Sequence, residues 1–358
     1  MKKHGPISIL FTTLLVAAFG WGSAYLVISG IEAVKPGTIL IETSSQKAEV
    51  LETATTNPSI PEKNTNTSTS EITVMIGGDV MFDRGIRLFA ERNGYDSLFD
   101  ESIVSLFKKA DIAVVNLEGP ITSYPSKTLI NGKSMETLTF TFSPKARTAL
   151  RDAGISMVSL ANNHTDNFAF LGFMETQDWL EDAGISWFGN PWNSTSTKMS
   201  REKTSDTKSP IATVVTKNGI TVAFVGYHSF QLGIDRVIAE IKRVSAPNVF
   251  TIVMPHWGEE YSTVASERMR SQTQAFVAAG ADAIIGAHPH VVMNQEWMGG
   301  VPVFYSIGNL LFDQYFSPEV MRGNIAELHI TQDASGVKLD RISTHETRLV
   351  KGKGVTLE

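Results

Sequence analysis

Side chains that could bind a metal ion follow five predicted β-strands in this 358-residue chain. They are carboxylates, imidazoles and amides, the oxygen and nitrogen ligands used by Mn, Fe, Zn and similar ions. In α/β proteins, ligands bind beyond the carboxyl ends of the strands, so these groups would converge if their strands lie side by side. The strands and the polar residues after them are 72–76 with Asp79, 112–115 with Asn116 and Glu118, 156–160 with Asn162, Asn163 and His164, 249–254 with His256, and 283–285 with His288 and His290.

Each of these groups, taken alone, also has an ordinary structural interpretation. Asp79 follows two glycines and could be a turn residue, and Glu118 could be a solvated loop charge. The Asn-Asn-His segment could be a turn, and His256 could be a buried core histidine. The pair of histidines around Pro289 is the most typical of a metal site, since both point the same way from an extended segment. Taken together, the groups favour a site for Mn, Fe, Zn or similar ions.

The composition narrows the chemistry further. The chain has no cysteine, which excludes disulfide scaffolds, zinc fingers, iron–sulfur clusters and thiol catalysis. Its net charge of −6 argues against nucleic-acid binding, which needs clustered Lys and Arg. The GxSxG, GxxxxGK[ST], GxGxxG and HExxH motifs are absent from the sequence after residue 70. Any metal site must therefore use His and oxygen ligands.

From residue 71 onward, short β-branched runs alternate with helical patterns, which predicts an α/β domain with mixed sheets over 71–358. Asn218-Gly219 indicates a hairpin between two further strands. Ser143 and Pro144 predict the N-cap and first residue of a helix that ends at Gly154. The further strands are expected at 212–216, 221–225 and 301–305, and the helices at 97–109, 144–153, 170–183 and 266–279.

The N-terminal segment has a different character. Residues 5–31 carry no charge and are long enough to cross a bilayer as one helix, preceded by Lys2 and Lys3. We therefore expect a single-pass anchor (1–31) with a cytoplasmic N-terminus and a main domain outside the cell membrane. A cleaved signal peptide is the alternative. Residues 32–70 are rich in Thr, Ser, Asn and Pro, which predicts a flexible polar linker.

Six segments within 72–330 together resemble the bacterial capsule-synthesis CapA (PgsA) family of poly-γ-glutamate biosynthesis. That family is similar to the calcineurin-like metallophosphoesterases, so the resemblance implies a layered sandwich of mixed β-sheets flanked by helices, preceded by one transmembrane helix. The segments occur in the family's order and read GGDVMFDRG, ADIAVVNLEGPIT, FTFSPKARTALRDAGISMVSLANNHTDNF, MPHWGEEY, GADAIIGAHPHVV and VFYSIGNLLFDQ.

The resemblance also implies roles for individual residues. His164 would contact phosphate or protonate the leaving group, beside one or two ions of Mn, Fe or Zn. Two positions depart from the superfamily pattern: Met81 stands where a metal-binding histidine is usual, and the bridging carboxylate is a Glu instead of an Asp. One ion position is therefore short of a ligand. The implied metal ligands are Asp79, Glu118 (bridging), Asn163, His256, His288 and His290.

Three further residues have a possible role at the site. Arg84 could neutralise a phosphate or carboxylate, or form a salt bridge to a loop carboxylate. Asp166 could orient the imidazole of His164, or be the N-cap of the following helix. Asn309 could line the site or belong to a turn. We interpret His228, His329 and His345, which belong to no motif, as structural.

Three functions are compatible with this pattern. The first is a membrane-tethered component of poly-γ-glutamate synthesis and export, whose partners would be the synthase membrane subunits and the anionic polymer. The second is a metal-dependent phosphoesterase acting on a surface or periplasmic substrate. The third is a non-catalytic scaffold that binds the polymer or the synthase. The missing histidine favours the scaffold, whereas the retained histidines favour retained metal or chemistry.

Overall fold

The computed structural model describes residues 70–130, 133–134, 137–191, 211–230 and 233–358. The predicted membrane anchor and the predicted linker, apart from its last residue, lie outside the described residues. Within the described ranges, no helix is both long and apolar enough to cross a membrane.

Two mixed β-sheets and six α-helices form the described part of the chain. The helices are α1 (Arg84–Asn93), α2 (Glu101–Lys109), α3 (Ala146–Asp152), α4 (Ala169–Asp182), α5 (Ile234–Val244) and α6 (Glu267–Ala279), with a 3₁₀ helix at Tyr95–Leu98. The strands are β1 (Ser70–Val80), β2 (Ile112–Leu117), β3 (Leu129–Ile130), β4 (Lys133–Ser134), β5 (Met157–Ser159), β6 (Ser186–Phe188), β7 (Ala212–Lys217), β8 (Ile220–His228), β9 (Val249–His256), β10 (Ala283–Ile285), β11 (Gln295–Met298), β12 (Val301–Phe304), β13 (Asn309–Leu311), β14 (Arg322–Asp333), β15 (Gly336–Val350) and β16 (Gly354–Leu357).

The first sheet has the strand order β16-β15-β14-β1-β2-β5-β6, and β13 pairs with the end of β1. The second has the order β11-β12-β10-β9-β8-β7. Both sheets are mixed: β1, for example, is antiparallel to β14 and parallel to β2. The short strands β3 and β4 form a separate hairpin.

The two sheets pack face to face. Alternate residues of β1 (Ile72, Val74 and Ile76) lie in one buried cluster with Phe224 and Ile252 of the second sheet. The alternation follows from the two-residue period of a strand, which directs every second side chain to the same face.

Helices cover the outer face of each sheet. Helices α1 to α4 share a buried cluster with Met75, Val115 and Val158 of the first sheet. Helices α5 and α6 share another with Val253 and Ile284 of the second. The layers are thus helix, sheet, sheet and helix, which confirms the predicted layered α/β sandwich.

Several local predictions were wrong or missed elements. Helix α3 begins at Ala146, and its N-cap is Lys145 instead of the predicted Ser143. Helices α1 and α5 and the β14–β15 hairpin were not predicted. Helix α1 buries only Ile86 and Ala90, which leaves a narrow apolar stripe. Much of β15 is exposed and polar, so its sequence lacks the buried alternation that marks a strand.

Candidate metal centre

The carboxyl ends of the central strands of both sheets meet at one place. In the first sheet, β1, β2 and β5 are parallel neighbours, and Asp79 lies in register with Asn116. In the second, β8, β9 and β10 are parallel neighbours, and His256 at the end of β9 bridges to Ala287. Since the sheets are stacked, the polar residues after these strands face one another, as the sequence predicted.

Two overlapping groups of buried side chains could hold an ion. Within each group, one ligand atom from every residue lies within 4.8 Å of the others. Glu118 belongs to both groups, which suits the bridging position that the resemblance implies for it. The groups are Glu118, His288 and His290, and Asp79, Glu118 and His256.

The surroundings of Glu118 are suited to a cation. Its side chain is fully buried, and neither carboxylate oxygen has a hydrogen-bond partner. Burial and the nearby Asp79 carboxylate raise its pKa well above the usual value. A buried carboxylate without partners is costly, and a divalent cation would neutralise it. The residues present therefore fit a metal ion of the hard or borderline class.

Asp79 is held in place by its neighbours. Its Oδ1 accepts a hydrogen bond from Nδ2 of Asn116 at 2.7 Å, and its Oδ2 accepts one from the backbone N–H of His288 at 3.1 Å. Asn116 is in turn held through its Oδ1, which accepts from Nδ2 of Asn162 at 3.2 Å. The sequence places these two asparagines at strand ends but assigns them no role, which only their contacts in the structure provide.

Two of the histidines are kept neutral by their surroundings. Burial and the neighbouring His288 lower the pKa of His256 well below its usual value. Burial and His290 lower the pKa of His288 to about 4. Neutral imidazole is the form that binds metal ions. Nε2 of His256 lies 2.8 Å from Oδ1 of Asn163 and 3.1 Å from Nδ1 of His288, so three predicted ligands are brought together.

His290 lies between the two carboxylates. Its Nδ1 is 3.3 Å from Oδ2 of Asp79 and 2.9 Å from Oδ1 of Asn309, and its Nε2 is 3.8 Å from Oε1 of Glu118. Burial lowers its pKa, but Glu118 and Asp79 outweigh that effect and raise it to about 9. Because metal ions bind the neutral imidazole, an ion at this site would compete with a proton for this ring. Asn309, in strand β13, therefore lines the site and does not belong to a simple turn.

The backbone around the histidine pair is strained. His288 has a φ of 97° and His290 a φ of 59°, both in the region that favours glycine. Such conformations cost on the order of 1–3 kcal/mol each and occur most often at functional sites. This backbone conformation directs both rings into the site from a short loop.

His164 approaches the site from the other sheet. Its Nε2 lies 3.8 Å from Oε1 of Glu118, and its Nδ1 lies 3.1 Å from Oδ1 of Asn167. The same Asn167 atom accepts a hydrogen bond from the backbone N–H of Phe140 at 2.7 Å, which identifies it as the amide oxygen. It must therefore also be the acceptor toward His164. The proton of the neutral ring therefore sits on Nδ1, and the lone pair of Nε2 faces the site. Burial lowers the pKa of His164, which favours this neutral form.

The residue that orients His164 is thus Asn167, next to the predicted Asp166. The Asp166 carboxylate raises the pKa of His228, although burial dominates and lowers that pKa to about 4. The N-cap interpretation of Asp166 was wrong, because the cap residue of α4 is Phe168. His228, at the end of β8, is fully buried and neither ring nitrogen has a hydrogen-bond partner.

Arg84 lines a cavity at the site, whereas Met81 is buried in the core. Arg84 forms the predicted alternative, a salt bridge to a loop carboxylate, with Asp313. Its guanidinium also lies 5.1 Å from the ring centre of Phe140 and 5.4 Å from that of Phe312, on the wall of a cavity beside His164. Met81 is fully buried in the helix-side core, and its sulfur accepts the backbone N–H of Asp83 at 2.9 Å. No ligand comes from that position.

The fold and the site together define a layered α/β domain with a buried carboxylate–histidine site able to bind a metal ion. Residues 73–314 match the family model of the bacterial capsule synthesis protein PGA_cap. The match covers most of the chain, and the chain belongs to this family.

Similar proteins have related names. The Bacillus anthracis "Capsule biosynthesis protein CapA" is 27% identical over 263 residues, which is 68% of this chain and 60% of that protein. The Bacillus subtilis "PGA biosynthesis protein CapA" is 26% identical over 285 residues, covering 75% of this chain and 70% of that protein. A Mycobacterium tuberculosis "Probable polyglutamine synthesis accessory protein" is 22% identical over 74% of this chain and 82% of its own length. The chain thus matches less than two thirds of the first relative.

Solved structures are similar only loosely. A phosphatase from Mycoplasma pneumoniae has a TM-score of 0.47 at 13% identity, covering 78% of this chain and 94% of its own. The calcineurin-like phosphoesterase YfkN from Bacillus subtilis has a TM-score of 0.45 at 12% identity, covering 78% and 90%.

Proposed function

We propose that this chain is a membrane-anchored, extracytoplasmic protein of poly-γ-glutamate capsule biosynthesis or export, with a metallophosphoesterase-type site that hydrolyses a phosphoester. Family membership supports the capsule role, and the names of the relatives support an association with polymer synthesis. The calcineurin-like assignment is supported by the motifs and by the layered α/β sandwich. The partners would be the synthase membrane subunits and the anionic polymer.

The observation that carries the enzymatic part is the buried Glu118 carboxylate. Both of its oxygens lack a partner, and it stands between Asp79 and three histidines. A structural carboxylate at such a depth would be paired with Arg or Lys or would accept backbone hydrogen bonds. A site made for a divalent cation needs the opposite, namely free lone pairs directed at one point.

In this proposal each residue has a definite task. One or two ions of Mn, Fe or Zn would be held by the six predicted ligands, and a bound ion supplies Lewis acidity toward a phosphate group. His164 would take a proton at Nε2 from the attacking water, whose oxygen forms the new P–O bond, because Asn167 keeps Nδ1 protonated. It would give that proton to the leaving alcohol oxygen as the old P–O bond breaks. Arg84 offers positive charge to the phosphate from the wall of the cavity beside His164. The ligands are Asp79, Glu118, Asn163, His256, His288 and His290.

Metal content and turnover test the proposal separately. The purified full chain is analysed by elemental mass spectrometry and assayed on phosphate monoesters and diesters, beside three alanine variants. We expect His288→Ala to lose metal and activity, and His164→Ala to keep metal while losing about 10²–10⁴ in kcat, the usual contribution of a general acid or base. His345→Ala is the control, because this histidine is paired with Glu327 on the first sheet away from the site. A wild-type chain without bound metal and without turnover would refute the enzymatic proposal.

A scaffold function is the second candidate, and the position of Met81 favours it. Because this side chain is buried in the core, one ion position lacks the histidine usual in the superfamily. Stoichiometric metal without turnover on any phosphoester, together with loss of capsule in His288→Ala cells, would support the scaffold.

The membrane topology has its own test. A protease added to intact cells should cleave within residues 32–70 if the domain lies outside the membrane. Protection of this segment in intact cells, with cleavage after lysis, would contradict the proposed orientation.

A further inference from the structure

We propose that the substrate is a phosphoester of an apolar alcohol, whose apolar group lies on an aromatic and aliphatic rim beside the metal centre. This inference rests on the proposed phosphoesterase function and adds the chemical class of the leaving group. It is carried by the order of chemical groups along one cavity, which changes from the buried site outward.

The cavity has a volume of about 430 Å³ and opens from the candidate metal centre to the surface. Among its polar lining groups, His290 is the most buried, at 3% exposed, and His164 shares with it the approach to Glu118. Arg84 comes next, with its guanidinium held against Phe140 and Phe312. A volume of this size is typical of a small-molecule site. A phosphate at the inner end would thus meet the site histidines and one guanidinium.

Three large side chains at the outer part of the cavity are unusually exposed, beside Glu260 and Gln314. Leu138 and Phe316 are each 65% exposed, and Tyr261 is 45% exposed. The Phe316 ring stands edge-on to Tyr261 with ring centres 5.2 Å apart. We call Leu138, Tyr261 and Phe316 the apolar rim. Large apolar side chains clustered at the mouth of a cavity favour a ligand that covers them.

The second side of the site carries a similar group. Phe230 is 51% exposed, and its ring centre lies 4.8 Å from that of His288. An exposed aromatic ring thus stands against the metal centre on the side of β8 as well. Exposed aromatic rings therefore flank the candidate metal centre on two sides.

The charges argue against the polymer as the occupant of this cavity. Among the described residues that line it, Arg84 is the one Lys or Arg, and it is paired with Asp313. Glu260 adds another carboxylate at the mouth. A poly-γ-glutamate chain carries a carboxylate on every unit, so its binding site would need several cations along its path. A single phosphate with an uncharged tail matches both the one guanidinium and the apolar rim.

Binding of n-alkylphosphonates to the manganese-loaded full chain tests this inference. Methyl-, propyl- and pentylphosphonate present the same charged group with tails of increasing length, and their P–C bond is not hydrolysed. We expect each added methylene that is buried to tighten Kd about fourfold, measured by titration calorimetry. In Phe316→Ser and Leu138→Ser we expect the gain per methylene to shrink at least twofold while the Kd of methylphosphonate stays unchanged.

Both substitutions are at exposed positions, so the core stays intact. Trp297→Ser is the matched control, because this side chain is 63% exposed on β11 and does not line the cavity. It should keep the full dependence on tail length. Short γ-linked glutamate oligomers should not displace pentylphosphonate.

The outcomes separate the two proposals. Metal-dependent phosphonate binding with a Kd independent of tail length would overturn the apolar-alcohol inference and leave the phosphoesterase proposal intact. Displacement of pentylphosphonate by the glutamate oligomer would also overturn the inference. Absence of metal-dependent binding by methylphosphonate and phosphate alike would overturn the phosphoesterase proposal, and the inference with it.

Discussion

The substitution Glu118→Gln should make the metal-free protein more stable at neutral pH and should remove its response to metal. The reason is the raised pKa of Glu118, caused first by burial and then by the Asp79 carboxylate. The folded state holds this proton more tightly than the unfolded state, so unfolding releases it. The free energy of unfolding of the wild-type protein therefore falls as pH rises from the ordinary pKa of a glutamate toward the raised one.

The size of the effect follows from proton linkage. A single group changes the free energy of unfolding by at most about 1.4 kcal/mol per pH unit. Between about pH 5 and about pH 7 the wild type should lose up to about 3 kcal/mol that the glutamine variant does not lose. For a domain of this size class that corresponds to roughly 6–12 °C in Tm. Bound metal should make the wild type the more stable of the two proteins. A ligand at about 100 times its Kd adds about 2.7 kcal/mol to the free energy of unfolding, and only the wild type would gain it.

Thermal unfolding of the full chain, followed by circular dichroism, measures both effects. Samples are treated with EDTA across this pH range and are then compared at neutral pH with added Mn²⁺. Glu240→Gln is the control, because it makes the same change in a mostly buried carboxylate that is paired with Arg243 at 2.7 Å. It should lower Tm slightly and keep the response to metal. Parallel pH curves and equal metal responses for wild type and Glu118→Gln would refute the reasoning.

Three other predictions concern residues around the site. Asn167→Ala should leave bound metal unchanged but lower kcat about 10- to 100-fold, because Nδ1 of His164 loses the acceptor that fixes its proton; a change in metal content instead of kcat would contradict this role. Met81→His should not raise the metal stoichiometry and should lower the free energy of unfolding by about 1–3 kcal/mol, since an imidazole would be buried in the core; a second bound ion would show that position 81 reaches the site. The metal-free protein should also lose stability as pH rises from about 7 toward 9, because the pKa of His290 is raised to about 9 in the folded state. His290→Asn should flatten that part of the curve of Tm against pH, measured by thermal unfolding.

The sequence predicted the central strands well, and for a physical reason. Strands β2 and β9 are buried on both faces, so they read as continuous β-branched and apolar runs that a short window can detect. Strand β15 was missed because its side chains are mostly exposed. Helix α5 was missed although Val237, Ile241 and Val244 recur at helical spacing, which is the pattern that could have identified it.

The candidate site also has a part that the sequence predicted and a part that it did not. Residue type and position at a strand end were enough to propose Asp79, Glu118, His256 and the histidine pair as a group. Contacts between side chains far apart in sequence were beyond the same reasoning. An example is the orientation of His164 by Asn167. The peptide N–H of Phe140, 27 residues earlier, donates to the Asn167 side-chain oxygen and so keeps that oxygen turned toward the imidazole.

By itself, the sequence determined the α/β alternation, the restriction to His and oxygen ligands, and the strands after which those ligands occur. Each of these follows from local properties, namely side-chain chemistry and the two-residue period of a strand. Only the tertiary structure decided that Met81 faces the core, that Arg84 is paired with Asp313, and that Glu118 is left without a partner. These outcomes depend on how two sheets and their covering helices pack. Packing sets burial and therefore pKa, and it joins residues that no spacing rule in the chain connects.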